Sequence, residues 1–415
     1  MDLHTGRPVW SVIDERSKPP FYPAAEGDLH CEVLIVGGGV SGALVGSMLT
    51  QRGVDCIVVD RRMPGIGSTF ASTGLLQYEV DTPLSELVDL VGRKHAVHAY
   101  RRGLAAIDDI ERIVGEIDDP CAFTRRKSLY FAGRFWHHGA LKREYELRRD
   151  LGFDVAWLTR GALAERTSIA AAGAMLSGGD AEIDPFRFTL ALLRAAARGG
   201  LRIFGNTSVV RVEERSDEIR AETERNLDGE RVGDAALRTA TIRAKKIVWA
   251  TGYETCESLP GVPGRLRSTY AAASAPVDDP PGWPERWLIW ETARPYFYAR
   301  RTLDGRIIIG GEDTSFSEDH VSEERTARKT AKLRRRFEKL FPQIPFQPAC
   351  TWAGTFAETK DGLAYIGRLP ERSNSYAALG YGGNGITFSA IAAKLIADLI
   401  TDRPNEDEAV FRFGR

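Results

Sequence analysis

The stretch CEVLIVGGGVSGALVGSMLTQRGVDCIVVDRR, from Cys31 to Arg62, decides the fold. Glu32 to Val36 is an aliphatic, β-branched run that suits a buried parallel strand. Gly37, Gly39 and Gly42 then supply G-x-G-x-x-G where that strand must become a helix. Ala43, Leu44, Val45 and Leu49 give the helix an apolar face, and Gly53 stands where a C-terminal cap is expected. Asp55 to Val59 is the next strand and ends on Asp60, about 20 residues beyond the first glycine. Each glycine has a task. The first permits the tight turn, the second lets backbone approach a pyrophosphate, and the third lets helix pack on strand. The free N–H groups of the first helical turn face the phosphates, and Asp60 accepts hydrogen bonds from a ribose. Strand, turn, helix, second strand and acid agree on a dinucleotide site. An acid at position 60 favours FAD or NAD over NADP.

Composition narrows the class. A chain of 415 residues holds two or three domain equivalents, and 43% hydrophobic with 27% charged residues is ordinary for a globular protein. A net charge of −1 gives no general attraction to nucleic acid or to an anionic membrane. Cys31, Cys56, Cys121, Cys256 and Cys350 are scattered and form no C-x-x-C pair, so neither a metal cluster nor a disulfide framework is expected. His95 and His98, like His137 and His138, read as surface or core histidines, and no metal is expected. No apolar run approaches the ~18 residues of a spanning helix, and the first 30 residues lack a signal-peptide pattern. A cytoplasmic protein with no transmembrane segment and no nucleic-acid partner is expected.

Met1 to His30 reads as an arm lying across the body or as a loose leader. Beyond Asp60, Gly65, Gly67, Ser68 and Thr69 form a small-residue loop that continues through Ser72, Thr73 and Gly74 to Leu75 and Gln77. Hydroxyls and glycines allow contact to phosphate and to a flat ring, although a plain surface loop has the same composition. Helix is predicted over Pro83–Ile117 and Lys142–Leu151, and a strand over Ser128–Ala132. Asp184-Pro185 is a helix start that runs to Gly199-Gly200. LRIFGNTSVVRVEE reads as two strands, charged segments to Arg243 as a hairpin excursion, and Lys246–Ala250 as a strand ending in Thr251-Gly252. Leu266–Ala275 and Trp287–Gly311 read as antiparallel strands, the latter folded at Asp304-Gly305. Ser322–Phe341 is an amphipathic helix with a solvated basic face at Arg334, Arg335, Arg336 and Lys339. SYAALGYGGNGITFSAIAAKLIADLI closes the chain as strand, glycine turn and apolar helix.

Three pieces occur together: the amino-terminal fingerprint, an A-T-G-Y strand end, and a carboxy-terminal G-G-N-G-I-T helix start. Together they resemble the D-amino-acid oxidase (glycine and sarcosine oxidase) family of FAD-dependent oxidoreductases, over roughly Cys31 to Arg403. The resemblance implies an α/β, Rossmann-type FAD-binding domain with a mixed or antiparallel β-sheet substrate domain of α+β type. The expected boundaries are 1–30 for the arm, 31–95, 181–262 and 348–403 for the FAD domain, and 96–180 and 263–347 for the substrate domain. By the same resemblance Gly37, Gly39 and Gly42 hold the pyrophosphate, Asp60 and Arg61 flank the adenosine, and Ser68 and Thr69 give a second phosphate contact. Thr73, Gly74 and Leu75 run beside the flavin ring, Val209 offers backbone to adenine, and Gly252 closes the turn. Gly383, Asn384, Gly385, Ile386 and Thr387 open the final helix toward the flavin pyrimidine.

Two departures shape the substrate expectation. Sarcosine-oxidase relatives tether flavin through a cysteine where this chain has Gly354, so FAD should be bound non-covalently. Amino-acid oxidising relatives grip the substrate carboxylate with an arginine where WAGTFAETKDG puts Phe356. On ETARPYFYARR, strand alternation gives Arg294, Tyr296, Tyr298 and Arg300 one face, either lining the substrate cavity with Gln77 or facing water. The implied reaction is oxidation of a C–N bond by hydride transfer to flavin, with the imine then hydrolysed and oxygen or an unidentified carrier as final electron acceptor. The expected substrate is a small amine or amino-acid derivative without a carboxylate on the reacting carbon, and Arg300 or Arg294 could meet a more distant acidic group. The competing expectation is that Arg300 replaces the missing arginine and grips an α-carboxylate. Alternatives are oxidation of a 2-hydroxy acid or a polyol phosphate, or a flavoprotein without turnover. No catalytic acid or base is legible.

Overall fold

Side chains alternate across the strand Gly27–Val36, and the two faces enter different cores. Val33 and Ile35 pack with Val45 and Leu49 of the helix Val40–Gln51, while Leu34 joins Ile57, Ile219 and Trp249 on the other side. Cys56–Val59 repeats the pattern, with Val58 on the helical side and Ile57 and Val59 opposite. Burial on both faces explains why these strands are aliphatic throughout. The computed structural model describes residues 4–13, 20–226, 238–254, 264–283, 285–316 and 322–415.

These strands belong to an eight-stranded sheet. Gly27–Val36 sits centrally, parallel to Cys56–Val59 and to Arg238–Trp249; Arg202–Phe204 and Ser375–Leu379 extend the sheet in the same direction. Helices Val40–Gln51, Pro185–Arg198 and Gly385–Ile400 cover one face. Thr207–Glu214 and Ile219–Arg225 form an antiparallel flap that covers the other. The cap chemistry follows the sequence: Asp184 accepts the Arg187 N–H, and Gly53 adopts φ +77° just past the first helix.

A ten-stranded sheet forms the second half. Its spine is Arg265–Ser274, Ile307–Ser315, Phe297–Arg301, Leu288–Glu291, Thr124–Phe131 and Gly173–Glu182 in spatial order. Phe297, Ala299, Ile307 and Ile309 pack under Leu333, Phe337 and Phe341 along the helix Glu323–Leu340. The opposite face carries Tyr298, Arg300 and Trp290. Mixed architecture with two sheets matches the expected fold class.

Several elements differ from expectation. The long predicted helix is two, Leu84–Val91 and Arg93–Glu116, because Gly92 takes φ +81° between them. Trp287–Gly311 holds parts of three strands, and Leu288–Glu291 pairs in parallel with Thr124–Phe131. Arg336 leaves the solvated face and pairs with Glu291 and with Glu312 at 3.1 Å. By sheet membership, Leu75–Leu76 and Pro348–Glu358 run with the ten-stranded sheet. The boundary at 262/263, Cys256 and part of the excursion before Arg243 lie outside the described residues.

The amino-terminal segment is built in. His4–Gly6 pairs with Pro348–Glu358, and the Trp10 indole N–H donates to the Ser72 carbonyl at 2.7 Å. Among the described residues no helix is long and apolar enough to cross a membrane.

Candidate functional site

The carboxyl ends of Gly27–Val36, Cys56–Val59 and Arg238–Trp249 open into a cavity of about 1520 Å³. Crevices beyond strand carboxyl ends are where open α/β sheets bind ligands. The cavity runs from Val209, Glu224 and Arg225 on the flap to Trp290, Tyr298 and Phe356 on the ten-stranded sheet. Gly37, Gly39, Asp60, Arg61, Ser68, Thr69, Thr73, Leu75, Gln77, Val209, Gly252, Gly383, Asn384, Gly385, Ile386, Tyr296, Tyr298 and Phe356 all line it. Residues from five separated parts of the chain meet on one surface.

Backbone contact explains the glycines. Gly37 has φ +109°, and a Cβ there would overlap the Ala250 carbonyl. Gly42 does not reach the cavity; a Cβ would overlap the Gly37 carbonyl oxygen, so it sets the helix against the turn. Gly39 starts the helix Val40–Gln51 with no side-chain cap, which leaves first-turn N–H groups without helical acceptors. The Asp60 carboxylate lies beside that turn, accepting the Gly38 N–H at 2.6 Å and the Arg62 N–H at 2.8 Å. Burial pushes its carboxyl up to about 6, against the pull of those two N–H groups. Each oxygen keeps a lone pair for a further donor.

Does a dinucleotide suit this wall? Ser68 Oγ is buried on the cavity surface without a hydrogen-bond partner, as an acceptor- or phosphate-facing hydroxyl would be before its ligand arrives. With the remaining N–H groups of the first helical turn and Asp60, the donor and acceptor set fits FAD. Thr69 plays another part: its hydroxyl accepts the Val40 N–H at 3.0 Å and fixes the loop to the helix.

The carboxy-terminal turn also differs in detail. The Gly383 N–H donates to Asp81 Oδ2 at 2.8 Å, and Asn384 and Thr387 side chains donate to the Gln77 carbonyl at 3.1 and 3.2 Å. Thr387 is absent from the cavity lining, so Asn384 and Thr387 act as clamps on the neighbouring loop. Gln77 itself donates to Ser128.

Arg300 requires a correction. It shares the Tyr298 face but is buried, pairs with Glu182 at 3.2 Å, and donates to the carbonyls of Thr73 at 2.7 Å and Ile183 at 3.1 Å. It does not line the cavity, because the loop Thr73–Leu75 lies between. Its place is behind Gly74, whose φ of +71° and close approach to the Ile183 carbonyl exclude a side chain. Arg294 is exposed, stacks on the Tyr296 ring and donates to the Asp81 carbonyl at 3.2 Å; it does not line the cavity either.

Among the lining residues that went unread in the sequence are Trp290, Asp81 and Asp313. Trp290 stacks on Tyr130 at 3.6 Å and pairs across strands with Tyr298, a relation that a separate strand at Leu288–Glu291 would have disclosed. Burial pushes the Tyr298 hydroxyl up to about 12, so it keeps its proton at neutral pH.

The matches to known proteins follow the same outline. The family model described as FAD dependent oxidoreductase (DAO) matches residues 32–399. The chain is similar to a glycine oxidase of Geobacillus kaustophilus (strain HTA426), 28% identical over 378 residues, covering 89% of this chain and 92% of that protein. It is also similar to a D-amino acid dehydrogenase of Paramagnetospirillum magneticum, 25% identical over 442 residues, covering 90% and 96%. The crystal structure of glycine oxidase from Geobacillus kaustophilus superposes with a TM-score of 0.74 at 26% identity, over 93% of this chain and 99% of that one.

Proposed function

Because the chain belongs to the DAO family of FAD-dependent oxidoreductases, we propose that it oxidises the C–N bond of a small amine lacking a carboxylate on the reacting carbon. The observation that carries this reading is the charge of the substrate end. Phe356, Trp290, Tyr296 and Tyr298 line it, its charged side chains are Glu79, Asp81 and Asp313, and among the described residues no arginine or lysine of the ten-stranded sheet lines it. A buried carboxylate without a cationic partner costs several kcal/mol, which disfavours an α-amino acid there.

In this reading Asp60 accepts from ribose hydroxyls, the start of Val40–Gln51 and Ser68 Oγ face the pyrophosphate, and Thr73 to Leu75 form the wall beside the ring. The eight-stranded half carries the dinucleotide and the ten-stranded half the substrate. Bound FAD supplies the two-electron acceptor. The protein's share is orientation by the aromatic wall and exclusion of water from the reacting carbon. Oxygen or a separate carrier takes the electrons onward, and the free cysteines Cys31, Cys56, Cys121 and Cys350 are in keeping with a cytoplasmic setting.

FAD is held without a covalent bond. Gly354 lines the cavity, whereas Cys350 lies on another core, about 13 Å back along the strand at ~3.3 Å per residue. Acid precipitation is therefore expected to release all flavin as FAD into the supernatant; flavin retained in the pellet would overturn this. The substrate class is tested by steady-state turnover of primary amines against glycine, proline, D-alanine and 2-hydroxy acids. Simple amines should prevail, with aldehyde and ammonia as products, and preference for glycine or D-alanine would refute the proposal.

A further inference from the structure

We infer that the substrate carries an ammonium group besides the nitrogen that is oxidised, and that Asp313 selects it; this rests on the amine reading above. Asp313 lines the cavity, and its Oδ1 is buried without a hydrogen-bond partner. Asp81 lines the same end, one oxygen held by the Gly383 N–H. The cations nearby act on it without an ion pair: Arg267 pairs with Glu358 at 3.3 Å, and Arg294 stacks on the Tyr296 ring and donates to the Asp81 carbonyl at 3.2 Å. Burial, reinforced by the charge of Asp81, outweighs the Thr269 hydroxyl, Arg267 and Arg294 and lifts the Asp313 carboxyl to about 6, so at neutral pH it is ionised with its Oδ1 acceptor unfilled. A buried carboxylate in this state is stabilised by a cation that enters the cavity. Trp290 and the two tyrosines provide apolar walls along an alkyl spacer and π faces for a charged end.

The carboxylate is better matched to a non-reacting nitrogen than to the reacting one. Hydride leaves a carbon bearing a neutral amine, whose lone pair stabilises the developing cation. An adjacent carboxylate favours the protonated amine and so opposes that step. Two nitrogens joined by a short apolar chain satisfy both requirements, which describes a diamine or polyamine.

The test compares α,ω-diaminoalkanes with n-alkylamines of equal chain length on holoenzyme and on Asp313→Asn. Diamines should show kcat/KM higher by roughly tenfold to a hundredfold, the worth of one charged hydrogen bond. Asp313→Asn should raise the diamine KM by a similar factor and collapse the diamine-to-monoamine ratio of kcat/KM toward one, a split that a structural role would not produce. Calorimetric titration of oxidised holoenzyme with a diamine should show binding that the substitution weakens. Monoamines turned over as well as diamines, or a preference unchanged in Asp313→Asn, would overturn the inference while leaving amine oxidation standing. Diamine binding that depends on Asp313 but reduces no flavin would support the cation site and refute the amine reading.

Discussion

Gly42→Ala is expected to yield protein that carries no flavin as purified and takes up added FAD at least a hundredfold more weakly than the parent. The added Cβ would overlap the Gly37 carbonyl oxygen, which is backbone and cannot swing aside. Helix Val40–Gln51 must then move away from the strand end, and its first-turn N–H groups lose their aim at the cavity. Overpacking of this kind costs about 1–3 kcal/mol before any binding loss is counted. Flavin-to-protein ratio and fluorescence titration with FAD read the effect. Full occupancy at parental affinity would show that this helix start does not hold the cofactor.

Arg148→Met is expected to destabilise the fold by about 3–5 kcal/mol, the usual result of removing one member of a buried charge network. Arg148 is fully buried; it donates to Glu144 at 2.7 Å and Glu79 at 3.0 Å and stacks near Tyr100. Glu144 in turn accepts the N–H groups of Leu84 and Ser85 and so caps Leu84–Val91 from a neighbouring helix. Burial pushes the Glu144 carboxyl up, but Arg148 and the Ser85 N–H outweigh it and hold it below its usual range. Burial and the charge of Glu79 push the Asp180 carboxyl up, and without Arg148 the Glu79 and Glu144 carboxylates would stay buried without their cation. Chemical denaturation measures the change, and a loss under about 1 kcal/mol would contradict the assignment.

The half of the fold built on Gly27–Val36 was legible because local signals agree there. Aliphatic strands, positive-φ glycines and the Asp184 cap each name the same elements in sequence and in space. Gly173–Glu182, near one end of the second sheet, was not legible: GAMLSGGDAE has no β-branched residue and owes its strand to pairing with Thr124–Phe131 and Val155–Thr159. Asp313 was hidden for a different reason. Alternation from Gly310, which lies under the Tyr298 ring, would put Glu312 rather than Asp313 in the cavity. A register shift between Ser268 and Tyr270, with positive φ at Gly311 and Glu312, moves the pattern by one residue. Glu312 then meets Lys329 and Arg336 on the helical side, and Asp313 faces the cavity. Arg300 shows the converse, since alternation gave the right face but not the loop that covers it.

The central claim is that this cavity joins bound FAD to an amine that has no carboxylate on the reacting carbon. Anaerobic mixing of holoenzyme with single substrates, followed by the flavin's visible absorbance, tests it without needing to know the electron acceptor. Rapid bleaching by an alkyl amine or diamine, with glycine, D-alanine, proline and 2-hydroxy acids far slower, is the predicted result. Faster bleaching by an α-amino acid or a 2-hydroxy acid would contradict it.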